Sequence, residues 1–165
     1  MPVPPYLGEF ADEDAEWFYS VGERRRVRTG EVVIAEGETP EHIHFVLEGE
    51  FVVSSETLGD PEVARVGPGE LLGEMSYINR EPAGGSVIAT KDGVLLSVRR
   101  ADIDAKIEAD PAFGSRFRKV ISEFAVTRMY RYPRRNREDA ADPPRDEESY
   151  LRVTELIEKL LRGEF

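Results

Sequence analysis

The sequence of 165 residues contains no cysteine and only two histidines. The lack of cysteine excludes disulfides, thiol nucleophiles and cysteine-ligated zinc or iron–sulfur centres. No stretch approaches the roughly 20 consecutive apolar residues that cross a bilayer, and the start of the chain lacks the basic and apolar regions of a signal peptide. From these features we expect a cytoplasmic protein that makes no membrane contact.

The sequence also has fewer basic than acidic residues. Lys and Arg number 22 against 33 Asp and Glu, which gives a formal net charge of −11. Because such a chain repels phosphate polymers, we predict that DNA is not a partner. Two local basic runs, Arg24 to Arg28 and Arg131 to Arg137, are interpreted as a solvated strand face and a linker, because acidic residues surround them.

Catalytic motifs are missing as well. There is no Gly-x-Ser-x-Gly elbow and no third histidine to act as a buried base, so we predict that the protein is not an enzyme. One alternative rests on His42, His44 and Glu48, whose spacing resembles the first metal-binding motif of cupins. A further cupin histidine has no candidate, so the histidines are predicted to face solvent, with no metal bound.

What the sequence does contain is a series of short β-rich runs between Val27 and Val98, separated by glycine turns. Many short strands at this spacing are typical of a barrel, a roll or a sandwich. The predicted strands are Glu31–Ala35, His42–Leu47, Glu50–Ser54, Glu62–Val66, Gly85–Thr90 and Val94–Val98.

Helices are predicted on both sides of this region. Phe10 to Val21 carries acidic residues in its first turn, Arg100 to Ala109 forms a second helix, and Pro111 begins a third that ends at Pro133. The third helix has one apolar stripe, which we expect to pack on the strands, on a second copy of the chain, or on both. We predict a homodimer through this stripe, which consists of Phe113, Phe117, Val120, Ile121 and Phe124.

The C-terminal part differs in composition from the rest. Residues 132–148 are polar, with opposite charge blocks and prolines, and predict a flexible linker. Residues 149–163 form an amphipathic pattern that stops at Gly163, which predicts a helix. Because this helix has no evident partner within the domain, we expect it to dock on another protein.

The most informative stretch is Gly67 to Val87. Gly73–Glu74 begins one predicted helical turn with Met75 and Ser76, and the free N–H groups at its start would attract a phosphate. Gly84–Gly85 would allow a ligand to approach the backbone closely, or would simply fit a tight start of the next strand.

This stretch resembles the phosphate-binding cassette of the cyclic nucleotide-binding domain family. The resemblance extends over a leading helix, a glycine-punctuated β-region and two closing helices. It implies a mainly β fold with flanking α-helices, namely a jelly-roll-like β-roll (double-stranded β-helix) preceded by one helix and followed by others. We assign this domain to residues 10–131.

The resemblance also implies a ligand site. Glu74 matches the family's ribose-binding glutamate, and Gly73, Met75 and Ser76 match positions whose backbone faces the cyclic phosphate. The family's phosphate-binding arginine falls at Ala83, which precedes Gly84, Gly85 and Ser86. Alanine cannot pair with phosphate, and a shifted Arg80 is a poor substitute, so binding of cAMP or cGMP is predicted to be weak or lost.

Two functions follow from this pattern. The first is a regulatory, ligand-sensing module in which the closing helices convey occupancy and cyclic nucleotide binding is weak, altered or lost. The second is a degenerate structural or protein-interaction domain that binds no nucleotide. The retained Gly73–Glu74 turn favours the first, and Ala83 favours the second.

Overall fold

The computed structural model describes residues 10–135, which form eight strands and four helices. The helices are α1 (Asp12–Val21), α2 (Glu74–Asn79), α3 (Arg100–Ala109) and α4 (Pro111–Arg135). The strands are β1 (Glu23–Val27), β2 (Val32–Ile34), β3 (His42–Glu48), β4 (Phe51–Ser55), β5 (Asp60–Val66), β6 (Leu71–Leu72), β7 (Ser86–Ala89) and β8 (Gly93–Arg99).

The strands form two antiparallel sheets of four. One sheet has the order β1-β8-β3-β6 and the other has the order β2-β7-β4-β5. Most strands lie beside a strand that is distant in the sequence, because the chain passes back and forth between the two sheets. The two sheets face each other and bury a core between them. This is the mainly β roll with flanking helices that the sequence predicts.

The strands β3 and β8 are buried on both faces. Val46 and Leu95 point into the core between the sheets, whereas Phe45 and Leu96 point toward the helices. Double burial explains why these strands are nearly continuous apolar runs instead of alternating ones. The molecule therefore has two hydrophobic clusters, one between the sheets and one between the first sheet and the helices.

The apolar stripe of α4 belongs to the second cluster. Each of its five predicted interface side chains is no more than 3% exposed within the single chain. They pack beside Phe18 of α1 and Ile103 of α3, with Phe18 and Phe117 ring centroids 6.2 Å apart. The predicted packing of the stripe on the domain is thus present within the single chain, and the homodimer through it stays a prediction: Phe113, Phe117, Val120, Ile121 and Phe124.

The structure contains two strands that are not among the six predicted β-rich runs. The basic run Arg24–Arg26 lies in β1, at the edge of the first sheet, where Arg25 pairs with Glu31 at 2.6 Å. The two-residue strand β6 pairs with β3. Neither shows a strand-like hydrophobic pattern, because β1 is mostly charged and β6 is too short to have a period.

The predicted boundary between the domain and the linker also differs from the structure. The helix α4 continues past Pro133 to Arg135, so residues 132–135 belong to it and not to the predicted linker. The remaining linker residues and the predicted helix over 149–163 lie outside the described residues. Across the part of the chain that the structure covers, no helix combines the length and apolarity needed to span a membrane.

The environment of His44 differs from the prediction of solvent-facing histidines. His44 is only 4% exposed, and its Nδ1 lies 2.7 Å from Ser97 Oγ on the neighbouring strand β8. Burial lowers the pKa of His44 to about 4, with further contributions from the charges of His42 and Arg25. His44 is therefore a neutral core residue, because its parity in β3 turns it inward with Val46.

Candidate ligand-binding site

A cavity of about 470 Å³ opens between α2 and the second sheet. This volume is within the range of small-molecule sites. Its lining consists of Ile34, Val53, Ser55, Leu58, Val63, Gly73, Glu74, Met75, Ser76, Asn79, Glu81, Pro82, Ala83, Gly84, Gly85 and Val87. Seven of the eight predicted ligand-binding residues are among them, and Ser86 is the exception.

The start of α2 is shaped by Gly73. This residue has φ of 87°, a left-handed conformation that a side chain would strain, and an added Cβ would lie 3.1 Å from the carbonyl oxygen of His42. The tight turn brings Glu74 inward, where it is 1% exposed. The predicted Gly73–Glu74 turn is present, and it places a buried carboxyl group on the wall of the cavity.

Met75 and Ser76 follow Glu74 on α2 and take different positions. Met75 lies at the rim and is 37% exposed, whereas Ser76 is buried and its hydroxyl donates to the carbonyl oxygen of Glu81. That bond closes the end of α2 onto the segment that leads to Ala83. Ser76 therefore holds the site together through its side chain.

Ala83 stands on the cavity wall at the position that the family resemblance assigns to an arginine. Its backbone N–H donates to Glu38 O, and its carbonyl oxygen accepts from Gly37 N–H, both at 2.8 Å. Its methyl group packs against the core between the sheets. The backbone at residue 83 is thus fixed by the turn at residues 37–38, while its side chain offers no charge.

The glycines after Ala83 have separate roles. An added Cβ on Gly85 would lie 2.6 Å from the carbonyl oxygen of Ser54, so this glycine allows β7 to begin close against β4. Gly84 has no such neighbour within 4 Å, and its carbonyl oxygen accepts a hydrogen bond from Ser55 at 3.0 Å. The tight-strand interpretation therefore applies to Gly85.

Ser86 lies outside the cavity lining. Its hydroxyl accepts a hydrogen bond from the backbone N–H of Glu36 at 2.9 Å, which joins β7 to the segment after β2. We therefore assign Ser86 a structural role in this chain.

Within the described part of the chain, no positively charged residue lines the cavity. Arg80, the nearest predicted substitute, instead pairs with Asp104 at 3.1 Å, and its guanidinium lies 4.5 Å from the ring centroid of Tyr77. Arg100 donates to the carbonyl oxygen of Pro40 at 2.9 Å. The ionisable groups on the wall are the carboxyl groups of Glu74 and Glu81.

The helix α2 also touches the helices on its other side. The Tyr77 hydroxyl donates to Asp104 of α3 at 2.6 Å, and the Tyr77 ring packs edge-on against Phe117 of α4, with centroids 5.8 Å apart. The same six-residue helix therefore borders the cavity and contacts both closing helices.

Sequence reasoning missed the residue that secures the opposite rim. The Glu36 carboxylate accepts hydrogen bonds from the backbone N–H of Glu56 at 2.9 Å and from the Thr57 hydroxyl at 3.0 Å. These bonds lower the pKa of Glu36, with the Glu56 N–H contributing most. The glycine turn after Glu36 was visible in the sequence, but its partner 20 residues later was not.

The cupin-like alternative requires a cluster of metal-binding side chains around His42, His44 and Glu48. Among residues 10–135, no group of three or more His, Cys, Asp or Glu side chains is arranged to hold a metal ion. The rings of His42 and His44 stack at 5.9 Å, and Glu48 is exposed at the far end of β3. Their geometry therefore gives no support to a metal site there.

Comparison with known proteins places this fold and site in context. The sequence model of the cyclic nucleotide-binding domain matches residues 24–110, more than half of the chain. A solved cyclic nucleotide-binding domain from Methylobacillus flagellatus superposes with a TM-score of 0.71 at 20% identity, covering 82% of this chain and 78% of that one.

Two curated relatives share part of their length with this chain. The cyclic AMP receptor protein of Thermus thermophilus is 30% identical over 113 residues, which are 67% of this chain and 52% of that protein. A cyclic nucleotide-gated potassium channel of Mesorhizobium japonicum is 33% identical over 99 residues, 60% of this chain and 26% of the channel. The chain thus spans between about a quarter and a half of these relatives. With its β-roll, its α2 cavity and the matched residues 24–110, the chain belongs to the cyclic nucleotide-binding domain family.

Proposed function

We propose that this chain is a non-enzymatic, regulatory ligand-sensing module whose cavity binds cyclic nucleotides weakly or not at all. The observation that carries the proposal is the position of Tyr77, on a helix that borders the cavity while contacting α3 and α4. A ligand that moves α2 would therefore move both closing helices. A module of this kind reports occupancy through the helices and needs no catalytic group.

The weak nucleotide affinity follows from charge. A cyclic nucleotide has a permanently anionic phosphate, and the described cavity wall offers it carboxyl groups and no cation. An arginine at position 83 would supply two charge-assisted hydrogen bonds of about 1.5–3 kcal/mol each, so its replacement by alanine would weaken binding about a hundredfold or more. The Glu74 carboxyl lies on the wall, at the position that the family resemblance assigns to ribose binding.

The proposal is tested by isothermal titration with cAMP and cGMP up to millimolar concentration. We expect weak or absent binding by the parent and a gain of about a hundredfold in Ala83→Arg. Ala83→Leu is the matched control, because it adds bulk at the same position without charge. Glu74→Ala in the Ala83→Arg background should remove the gain, if the glutamate contacts the ribose.

The response of the helices needs its own readout. Trp17, the single tryptophan of the chain, lies with its ring centroid 5.2 Å from that of Phe113 in α4. Its emission should therefore change when a bound nucleotide moves α4 in Ala83→Arg. Nucleotide binding without any change in Trp17 emission or in amide exchange of α3 and α4 would contradict a sensing role and favour a structural interaction domain.

A further inference from the structure

We infer that the natural ligand of the α2 cavity is an uncharged, largely apolar small molecule and not a nucleotide. This inference rests on the proposed sensing function, because it names the ligand class of the same site. It is carried by the chemistry of the wall, by the charges near it and by the exposed side chains at its mouth.

The side of the cavity that the second sheet forms offers apolar surface. Ile34, Val53 and Val87 come from three strands of the second sheet, and Val63 comes from the fourth. Burying apolar ligand surface against them is favourable because that surface is removed from water. A nucleotide, with its phosphate and hydroxyl groups, would make poor use of such a surface.

The described wall holds no positive charge that could pair with an anion. Glu74 and Glu81 are the ionisable groups of the cavity within the described chain, and Glu74 is almost completely buried. The nearby cation Arg80 is held by Asp104 on the other side of α2. An uncharged ligand avoids the loss of solvation that an unpaired phosphate would suffer here.

Two apolar side chains at the mouth of the cavity are exposed to solvent. Leu58 is 59% exposed and Met75 is 37% exposed, although both contribute to the lining. They lie on opposite elements, one in the β4–β5 turn that Glu36 holds in place and one on α2. An apolar ligand between them would be covered by both side chains. Large apolar side chains that are exposed at the rim of a pocket are typical of a ligand-binding site.

The experiment uses the uncharged, apolar dye Nile red as the probe, with fluorescence enhancement on the full chain as the readout. We expect saturable binding at one site per chain. The anionic dye anilinonaphthalenesulfonate, which also has an aromatic body, should bind at least tenfold more weakly. Equal or tighter binding of the anionic dye would overturn the inference.

Variants place the dye in the cavity. Met75→Ser removes an apolar side chain from the rim, whereas Ile78→Ser removes an equally exposed one, at 43%, from the same helix but outside the lining. Nile red affinity should fall several-fold in Met75→Ser and stay unchanged in Ile78→Ser. Equal effects of the two substitutions would mean that the dye binds the surface of α2, and the inference would be wrong.

Ala83→Arg provides a second test that does not depend on the rim. The added cation should weaken Nile red and strengthen the anionic dye. Should Nile red bind in the cavity without altering amide exchange of α3 and α4, the ligand class would stand and the sensing function would fail. Tight cAMP binding by the parent, with a helix response, would leave sensing intact and overturn the apolar ligand.

Discussion

The hydroxyl of Tyr77 donates a hydrogen bond of 2.6 Å to the Oδ1 atom of Asp104, and this bond joins the helix beside the cavity to the first closing helix. Asp104 also accepts a hydrogen bond from Arg80, whose guanidinium lies over the Tyr77 ring. Three side chains therefore form one contact between α2 and α3. Under the proposed sensing function, this contact would carry the effect of a ligand from α2 to α3.

Removing the hydroxyl in Tyr77→Phe should lower the free energy of unfolding by about 1–2 kcal/mol, because a hydrogen bond to a charged group is lost while the ring packing remains. Urea unfolding would measure this loss. The effect of Asp104→Ala should not add to it, since both changes break the same bond. Fully additive losses would contradict the coupling.

The same tyrosine predicts an alkaline effect. Burial raises the pKa of Tyr77 to about 12 from its ordinary value of 10.0, with the hydrogen bond to Asp104 contributing next. Between these two pKa values, the folded state keeps the proton on the Tyr77 hydroxyl while the unfolded chain loses it. This stabilisation is complete below pH 10 and is lost as the pH rises to about 12, and the loss should be smaller in Tyr77→Phe.

An acid-side prediction concerns His44. Its pKa is lowered from 6.5 to about 4 by burial, so the native state holds the neutral ring while the unfolded chain takes up a proton. The stabilisation is present above pH 6.5 and is lost as the pH falls toward 4, by roughly 3 kcal/mol in all. Urea unfolding across this range should show the loss, and His44→Gln should reduce it.

His42→Gln is the matched control for the acid-side prediction, since His42 is the other histidine and is only half-buried. It should leave most of the pH dependence in place. An equal reduction in both variants would mean that His44 is not the group responsible.

The two glycines after Ala83 should respond differently to alanine. In Gly85→Ala the new Cβ would meet the Ser54 carbonyl oxygen, so we expect a loss of about 1–3 kcal/mol in the free energy of unfolding. In Gly84→Ala nothing lies within 4 Å, and stability should change little. Thermal unfolding of the pair measures the difference, and equal melting temperatures would contradict the close β4–β7 contact.

The buried carboxylate of Asp14 joins α1 to α4. It accepts two hydrogen bonds from Arg116, both at 2.8 Å, and one from the backbone N–H of Ala11 at 3.0 Å. Asp14→Ala should therefore lower the free energy of unfolding by about 2–3 kcal/mol. The exposed Glu16→Ala on the same helix is the control, and a comparable loss there would show that helix propensity dominates.

Much of the site could be predicted because its signals are local. The Gly73–Glu74 turn depends on a glycine conformation followed directly by the residue it buries, so neighbouring letters reveal it. The apolar wall could not be predicted in the same way. Ile34, Val53 and Val63 are ordinary strand residues, and only the pairing of β2, β4, β5 and β7 turns them toward one cavity.

The stripe of α4 and the histidines of β3 show the same division. The spacing of Phe113 and Phe117 indicates that one face of the helix is buried. It does not indicate which surface covers that face, because periodicity contains no information about the partner. Alternation puts His42 and His44 on one face of β3, and the second sheet then decides that this face is internal.

By itself, therefore, the sequence determined the β-roll with its helices, the turn that buries Glu74 and the alanine at position 83. The turn and the alanine depend on local conformation and on the identity of single side chains, whereas the β-roll was inferred from the family resemblance. The tertiary structure alone decided that Arg80 turns to Asp104, that the roll covers the α4 stripe and that the cavity wall is apolar. Each of these depends on contacts between residues far apart in the chain, which only the packed sheets and helices bring together.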